Sequence, residues 1–217
     1  VRYADDFVVM AKTKEALEQV TPRIAEFLAQ RGLEMNPEKT RMVHKTEGFD
    51  FLGFHIQDRK GKVLITPQKD NVSGLLRKVR TWLKRNLHAS PEGVIRTLNP
   101  ILRGWANYYS IAVAKRTFTK IDHDLCGTLL EWVKRRHPRK PWRWRRRRYF
   151  TRKGNDHWRF FAETRTRRGT SKQEYLMNVA ETPCDIRHVK VKGTASPHDP
   201  TLRQYWRTAW RTRGSVG

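Results

Sequence analysis

Asp5 and Asp6 are the residues of this chain best suited to do chemistry. Two adjacent carboxylates repel each other, and each resists losing its water. They stand between apolar flanks, with Val1 and Tyr3 before them and Phe7-Val8-Val9-Met10-Ala11 after them. That pattern predicts a strand, a turn with the acids at its tip, and a buried strand over Phe7–Ala11. A hydrophobic strand that presents a carboxylate pair can hold hard divalent cations, and oxygen ligands of this kind suit Mg²⁺. The same acids also read as an ordinary polar hairpin turn. Cys126 and Cys184 lack metal spacing, and the eight histidines lack the i, i+4 pairing of a helical zinc site.

The charge balance points to the class of partner. Lys and Arg number 46 against 21 Asp and Glu, a formal net charge of +25. The excess is uneven: residues 1–100 carry 18 cations and 12 acids, whereas residues 101–217 carry 28 and 9. Such a surplus self-repels in a compact fold unless a polyanion is the usual partner. Nucleic acid fits that role. An anionic membrane would also attract the charge, but the sequence has no long apolar stretch, lipid-anchoring signal or signal peptide.

The elements expected to position these residues are α+β. Thr13 caps a helix with Leu17, Val20, Ile24, Phe27 and Leu28 on one buried face, Pro22 kinking or splitting it and Gly32 ending it. Residues 34–40 read as a polar turn and Arg41–His44 as a short strand. Phe49–Ile56 reads as one stronger strand, with Gly53 in its middle. Asp58–Gly61 then turns the chain into Lys62–Ile65. The period then becomes helical. One helix carries Val72, Leu75, Leu76, Val79, Trp82 and Leu83; another starts at Ser90-Pro91; a third starts at Pro100; a fourth starts near Thr117. The expected divisions are 1–66, 67–137 and 138–217.

Past His137 the helical period disappears. Residues 134–153 contain 12 Lys and Arg and no acid, interleaved with Trp142, Trp144, Tyr149 and Phe150. Trp142-Arg143-Trp144-Arg145-Arg146-Arg147-Arg148 offers guanidinium groups for phosphates and rings for unpaired bases. A run of like charge is otherwise a solvated segment. Short strands are expected at 157–161 and 188–192, and a short helix at 205–207. The chain starts at Val with only a stub of a first strand, which reads as a piece of something longer.

These pieces, in this order, resemble the C-terminal part of a bacterial group II intron-encoded reverse transcriptase with a maturase domain. Tyr3-Ala4-Asp5-Asp6 is similar to its catalytic strand. Arg31-Gly32-Leu33-Glu34 with Asn36-Pro37-Glu38-Lys39-Thr40 is similar to the next block. Phe51-Leu52-Gly53-Phe54 resembles the primer-gripping hairpin, and Leu102-Arg103-Gly104-Trp105-Ala106-Asn107-Tyr108-Tyr109 the core of the maturase thumb, or domain X. The resemblance implies a partial polymerase palm, then a helical thumb, then an irregular basic region with short strands. It implies RNA-directed DNA synthesis with two Mg²⁺ ions in the complete enzyme. Asp5 and Asp6 would be the metal ligands, Tyr3 and Ala4 would lie at the primer terminus, and Lys39 would be a proton donor to the leaving pyrophosphate. Leu52, Gly53, Arg103 and Asn107 would contact nucleic acid. Trp105 and Tyr109 share a face with Ile101, which also suits core. The partners implied are intron RNA, an RNA template with DNA primer, and deoxynucleotides, in a cytoplasmic, nucleoid- or RNP-associated setting without membrane. The family's fingers and third catalytic carboxylate have no counterpart here, so the chain alone is expected to be inactive as a polymerase. No Cys-rich nuclease motif is present, so DNA-strand cleavage is not expected. A stand-alone RNA-binding splicing factor with a vestigial active site, and a remnant of a mobile element, are the competing readings.

Overall fold

The computed structural model describes residues 1–154, 156–165, 171–184 and 199–211, in two compact units that divide between Glu47 and Gly48. The predicted strand at 188–192 lies outside the described residues.

In the first unit, Arg2–Tyr3 (β1) and Asp6–Phe7 (β2) form an antiparallel hairpin with Tyr3 opposite Asp6. Ala4 turns the chain at φ 51°. The strand expected over Phe7–Ala11 ends at Phe7. Val1 and Val8 exchange two further hydrogen bonds of 2.7 and 2.8 Å, and among the described residues β2 has β1 as its one neighbour. An apolar run without a second neighbour has no ladder to join. Helix α1, Lys14–Ala29, starts where Thr13 Oγ1 accepts the Ala16 N–H at 3.3 Å. Pro22 does not split it, because the turn it leaves unbonded is on the exposed side. Beyond it, Leu33 N–H bonds Leu28 O and Gly32 N–H bonds Ala29 O, both at 3.0 Å. With Gly32 at φ 68°, this is the Schellman ending that the glycine predicts.

Two further expectations for this unit fail. No residue of 1–47 is buried, and Phe27, expected in the core, is 54% exposed. Two strands of two residues cannot cover a helix of 16. The strand expected at Arg41–His44 is irregular chain, again with no neighbour to pair with.

The second unit opens with a meander: Phe49–Phe51 (β3), Phe54–Arg59 (β4) and Lys62–Pro67 (β5). The single strand expected over Phe49–Ile56 is broken at Leu52-Gly53, a two-residue turn with φ 48° and 77°. Lys60-Gly61 makes a second turn of the same hand. Three helices follow: α2 (Lys69–Arg85), α3 (Pro91–Tyr109, capped by Ser90) and α4 (Lys115–Arg136). Pro100, expected to start a helix, lies inside α3. Leu98 and Leu102 on either side of it are fully buried, and this packing holds the helix continuous across the missing N–H.

The segment past His137 is more regular than its composition implies. Trp142–Tyr149 is a helix, α5, although the sequence there shows no helical period. Five arginines mask the pattern, and Tyr149 alone of the eight is buried, packing on Trp132 and Phe160. Phe150–Lys153 (β6), Asp156–Arg165 (β7) and Ser171–Tyr175 (β8) form an antiparallel sheet. A 3₁₀ turn, Val179–Glu181, comes after it. Helix α6, Arg203–Arg211, contains the helix expected at 205–207. Leu76, Val79, Leu83, Leu98, Leu102, Phe118 and Leu129 of the bundle share one core with Phe150, Phe160, Leu176 and Val179. The architecture is α+β, as expected.

Candidate nucleic-acid interface

The β1–β2 turn puts Ala4 and Asp5 at its tip and Asp6 at the start of β2, all exposed. Neither carboxylate has an ion-pair or hydrogen-bond partner among the described residues. The one side-chain bond to this turn runs from Arg2 Nε to Ala4 O, at 2.9 Å. Two free, adjacent oxygen donors fit a hard cation such as Mg²⁺. Among the described residues, no third His, Cys, Asp or Glu joins them to form a metal-binding group. Lys39 follows a turn pinned by Asn36, whose Oδ1 accepts the Glu38 and Lys39 N–H groups at 2.9 and 3.3 Å. Its side chain is exposed.

In the second unit, the Leu52-Gly53 turn places two successive residues at positive φ. Leucine rarely adopts φ 48°, and strain of this kind persists only where neighbours over-determine it. They do so here. Tyr108 OH donates to Leu52 O at 2.8 Å, while Gln68 N–H and Asn71 Nδ2 reach Gly53 O at 3.0 and 3.4 Å. Gln68 Oε1 accepts from Asn71 at 3.1 Å, and Gln68 donates to Asp50, which also pairs with His55. A Cβ on Gly53 would lie 2.9 Å from both Asn71 Nδ2 and Tyr109 OH. The glycine is therefore demanded by the protein's own packing, and its mid-strand placement is corrected to a turn. Sequence reading missed Asn71, Gln68 and Tyr108. Tyr108 at least stood within the maturase-like block.

Phe54 stacks on Tyr108 at 5.3 Å, and Trp105 packs on Tyr109 and Phe118 at 4.3 and 5.9 Å. Trp105 and Tyr109 are thus bound to the core, as their face predicts. Burial pushes the Tyr109 hydroxyl pKa up, Tyr108 adds to the rise, and the Asn71 hydrogen bond opposes it. Asn71, Gly74, Lys78, Gly104, Trp105 and Tyr108 line a groove of about 530 Å³ along α2 and α3. Arg103 and Asn107, one turn apart on α3, are exposed.

On α5, Arg143, Arg146, Arg147 and Arg148 are exposed and Arg145 is half-buried, with its buried Nε lacking a partner among the described residues. The two tryptophans point to different neighbours. Trp142 stacks on Trp158 of β7 at 5.5 Å, and Arg146 lies 4.6 Å over the same Trp158 ring. Trp144 meets His137 edge-on at 5.1 Å and takes Lys140 at 5.4 Å. His137 pairs with Tyr149 OH at 2.7 Å; burial first, then the surrounding cations, lowers its pKa.

Residues 1–56 match the reverse transcriptase (RNA-dependent DNA polymerase) family, and residues 72–150 match the group II intron, maturase-specific domain. The two matches follow one another along the chain and are consistent with the C-terminal portion of a group II intron reverse transcriptase–maturase. It is 27% identical to "Group II intron-encoded protein LtrA" of Lactococcus lactis subsp. cremoris, over 52% of this chain and 24% of the relative. It is 30% identical to an "Uncharacterized 91 kDa protein in cob intron" of Schizosaccharomyces pombe, over 51% and 17%. It is 25% identical to "Maturase-like protein 1" of Euglena gracilis, over 50% and 24%. The chain spans about a quarter or less of the length of these relatives.

The maturase-specific match ends at Phe150, yet the fold continues past it. Three polar clamps join the maturase helices to β8 and the chain that follows it, a fourth ties β7 to the 3₁₀ turn, and none was legible in the sequence. Asn99 of α3 donates to Tyr175 O and accepts from Met177 N–H, at 3.1 and 2.7 Å. Asp122 of α4 accepts the Val179 and Ala180 N–H groups, both at 2.8 Å. Lys115 donates to Ala180 O and Thr182 O at 2.9 and 2.8 Å. Arg159, buried on β7, binds Asp156 at 2.9 Å and also Glu181. The sheet is thereby fixed to the maturase helices, while α5 is held to α4 by Tyr149 packing on Trp132. Among the described residues no helix is long and apolar enough to cross a membrane.

Proposed function

We propose that this chain is the nucleic-acid-handling portion of a group II intron-encoded protein that binds intron RNA, assists its splicing and copies it into DNA. One observation carries the reading: a reverse transcriptase match and a maturase-specific match follow one another in a single chain. Asp5 and Asp6 would hold Mg²⁺, and Tyr3 and Ala4 would meet the primer end. When bound, the metal would supply Lewis-acid stabilisation of the attacking and leaving oxygens. Lys39 would donate a proton towards the departing pyrophosphate. Leu52 and Gly53 would grip the primer, and Arg103, Asn107 and residues 142–148 would hold RNA.

Primer extension tests the polymerase half of this reading. The chain alone is expected to be inactive, since two carboxylates are an incomplete set. A version extended upstream with the remaining palm and fingers is expected to extend a primer on an RNA template with Mg²⁺. In that version Lys39→Arg should keep more activity than Lys39→Ala. Filter binding with a group II intron RNA tests the other half. An inert extended enzyme together with no RNA binding by the chain would overturn the proposal.

A further inference from the structure

Trp158 stands outside both family matches and outside every motif visible in the sequence, yet it sits at the centre of an unusual surface. It is 37% exposed and Trp142 is 44% exposed. Large rings are normally withdrawn from water, and exposing two of them side by side on a basic surface carries a hydrophobic cost. The two indoles are stacked at 5.5 Å with 29° between their planes, and the Arg146 guanidinium lies 4.6 Å from the Trp158 centroid. Trp142 and Arg146 are one turn apart on α5, which puts both on the side of the helix facing Trp158. Arg143 and Arg147 form the adjacent exposed row. The ledge is not a loose tail. Phe150 packs edge-on against Trp158, and the next residue, Arg159, is buried in an ion-pair cluster that fixes β7.

We infer that Trp142, Trp158 and Arg146 form a stacking ledge for the unpaired bases of an RNA segment, with Arg143 and Arg147 holding its phosphates. The inference rests on the intron-RNA reading above and narrows it from RNA in general to unpaired RNA. Duplex RNA presents phosphates but no free base faces, so it would use the arginines and leave the rings unused. An unpaired strand offers both at once. The maturase-specific match that runs into α5 makes RNA the favoured strand.

The test compares four forms of the full chain: native, Trp158→Ala, Trp158→Phe, and Arg143→Gln with Arg147→Gln. Fluorescence anisotropy would measure binding of a 12-nucleotide single-stranded RNA, a 12-base-pair RNA duplex and the matching single-stranded DNA. Circular dichroism melts would check folding. Trp158→Ala is expected to weaken single-stranded RNA binding about 5- to 20-fold while leaving duplex binding within twofold. Trp158→Phe, which keeps a ring and the fold, should retain most of the affinity. The double arginine variant should weaken both RNAs and lower the salt slope. Equal losses for single strand and duplex, no loss in Trp158→Ala, or a preference for the DNA strand would each overturn the ledge while leaving intron-RNA binding standing. A native chain that binds no RNA would overturn both.

Discussion

Gly53 shows how a single residue settles where a strand ends. Its φ of 77° is in the left-handed region, and the space where a Cβ would sit is already taken by Asn71 and Tyr109. Gly53→Ala is therefore expected to lower stability by about 2 kcal/mol, combining the left-handed cost with the displacement of two packed polar groups. Urea unfolding would measure it, and an unchanged midpoint would mean that the turn relaxes freely. The glycine was visible in the sequence, but its reason was not. A mid-run glycine signals a bulge, a turn or a close approach equally well. Only the positions of Asn71, 18 residues away, and of Tyr109 decide among them. The acid pair is the opposite case. Tyr3-Ala4-Asp5-Asp6 lies on adjacent positions of a turn that its own flanks specify, so its exposure at a hairpin was legible without any distant partner.

At the scale of elements, the sheet after α5 is joined to the helices through side chains that read backbone atoms. Asp122 is the plainest of these, accepting two N–H groups at the start of a 3₁₀ turn. Burial pushes its pKa up from 3.8 to about 6, against the opposing pull of those hydrogen bonds and of Arg159. A raised folded-state pKa gives stability that is full below about pH 4 and is lost as the pH rises through about 6. Asp122→Ala should thus be more costly at pH 4 than at pH 7.5, with the lost hydrogen bonds contributing at both. Denaturant unfolding of the two proteins across that range would check it, and a pH-independent difference would refute it. The elements themselves were legible where an apolar period ran unbroken, as in α2 and α4. They were misread where a proline or a run of arginine hid the period. Pro100 sits within α3 because core burial on both sides outweighs one missing hydrogen bond. Helix α5 forms around Tyr149 and its ring neighbours, and five arginines gave no sign of that.

For the whole molecule the dominant property is charge. With +25 overall, association with RNA should fall steeply with salt. Arg145→Gln through Arg148→Gln, made together, should flatten the log–log salt slope. Arg147 and Arg148 are the exposed members left for phosphate, Arg146 lying over the Trp158 ring, and roughly 0.7 of slope is expected per lost phosphate contact on a single strand, so the decrease should be about 1.4. Half-buried Arg145 should contribute least. A slope that does not move would remove this segment from the interface. The sequence by itself determined the chemistry on offer: the carboxylate pair, the basic excess and its bias towards residues 101–217, and the order of blocks that matches two families. These depend on residue type and close spacing, which are local properties. Tertiary structure alone decided which apolar faces are covered, why Gly53 is glycine, and that Trp158 joins Trp142. Each of these depends on partners distant in sequence, and packing, not local preference, brings them together.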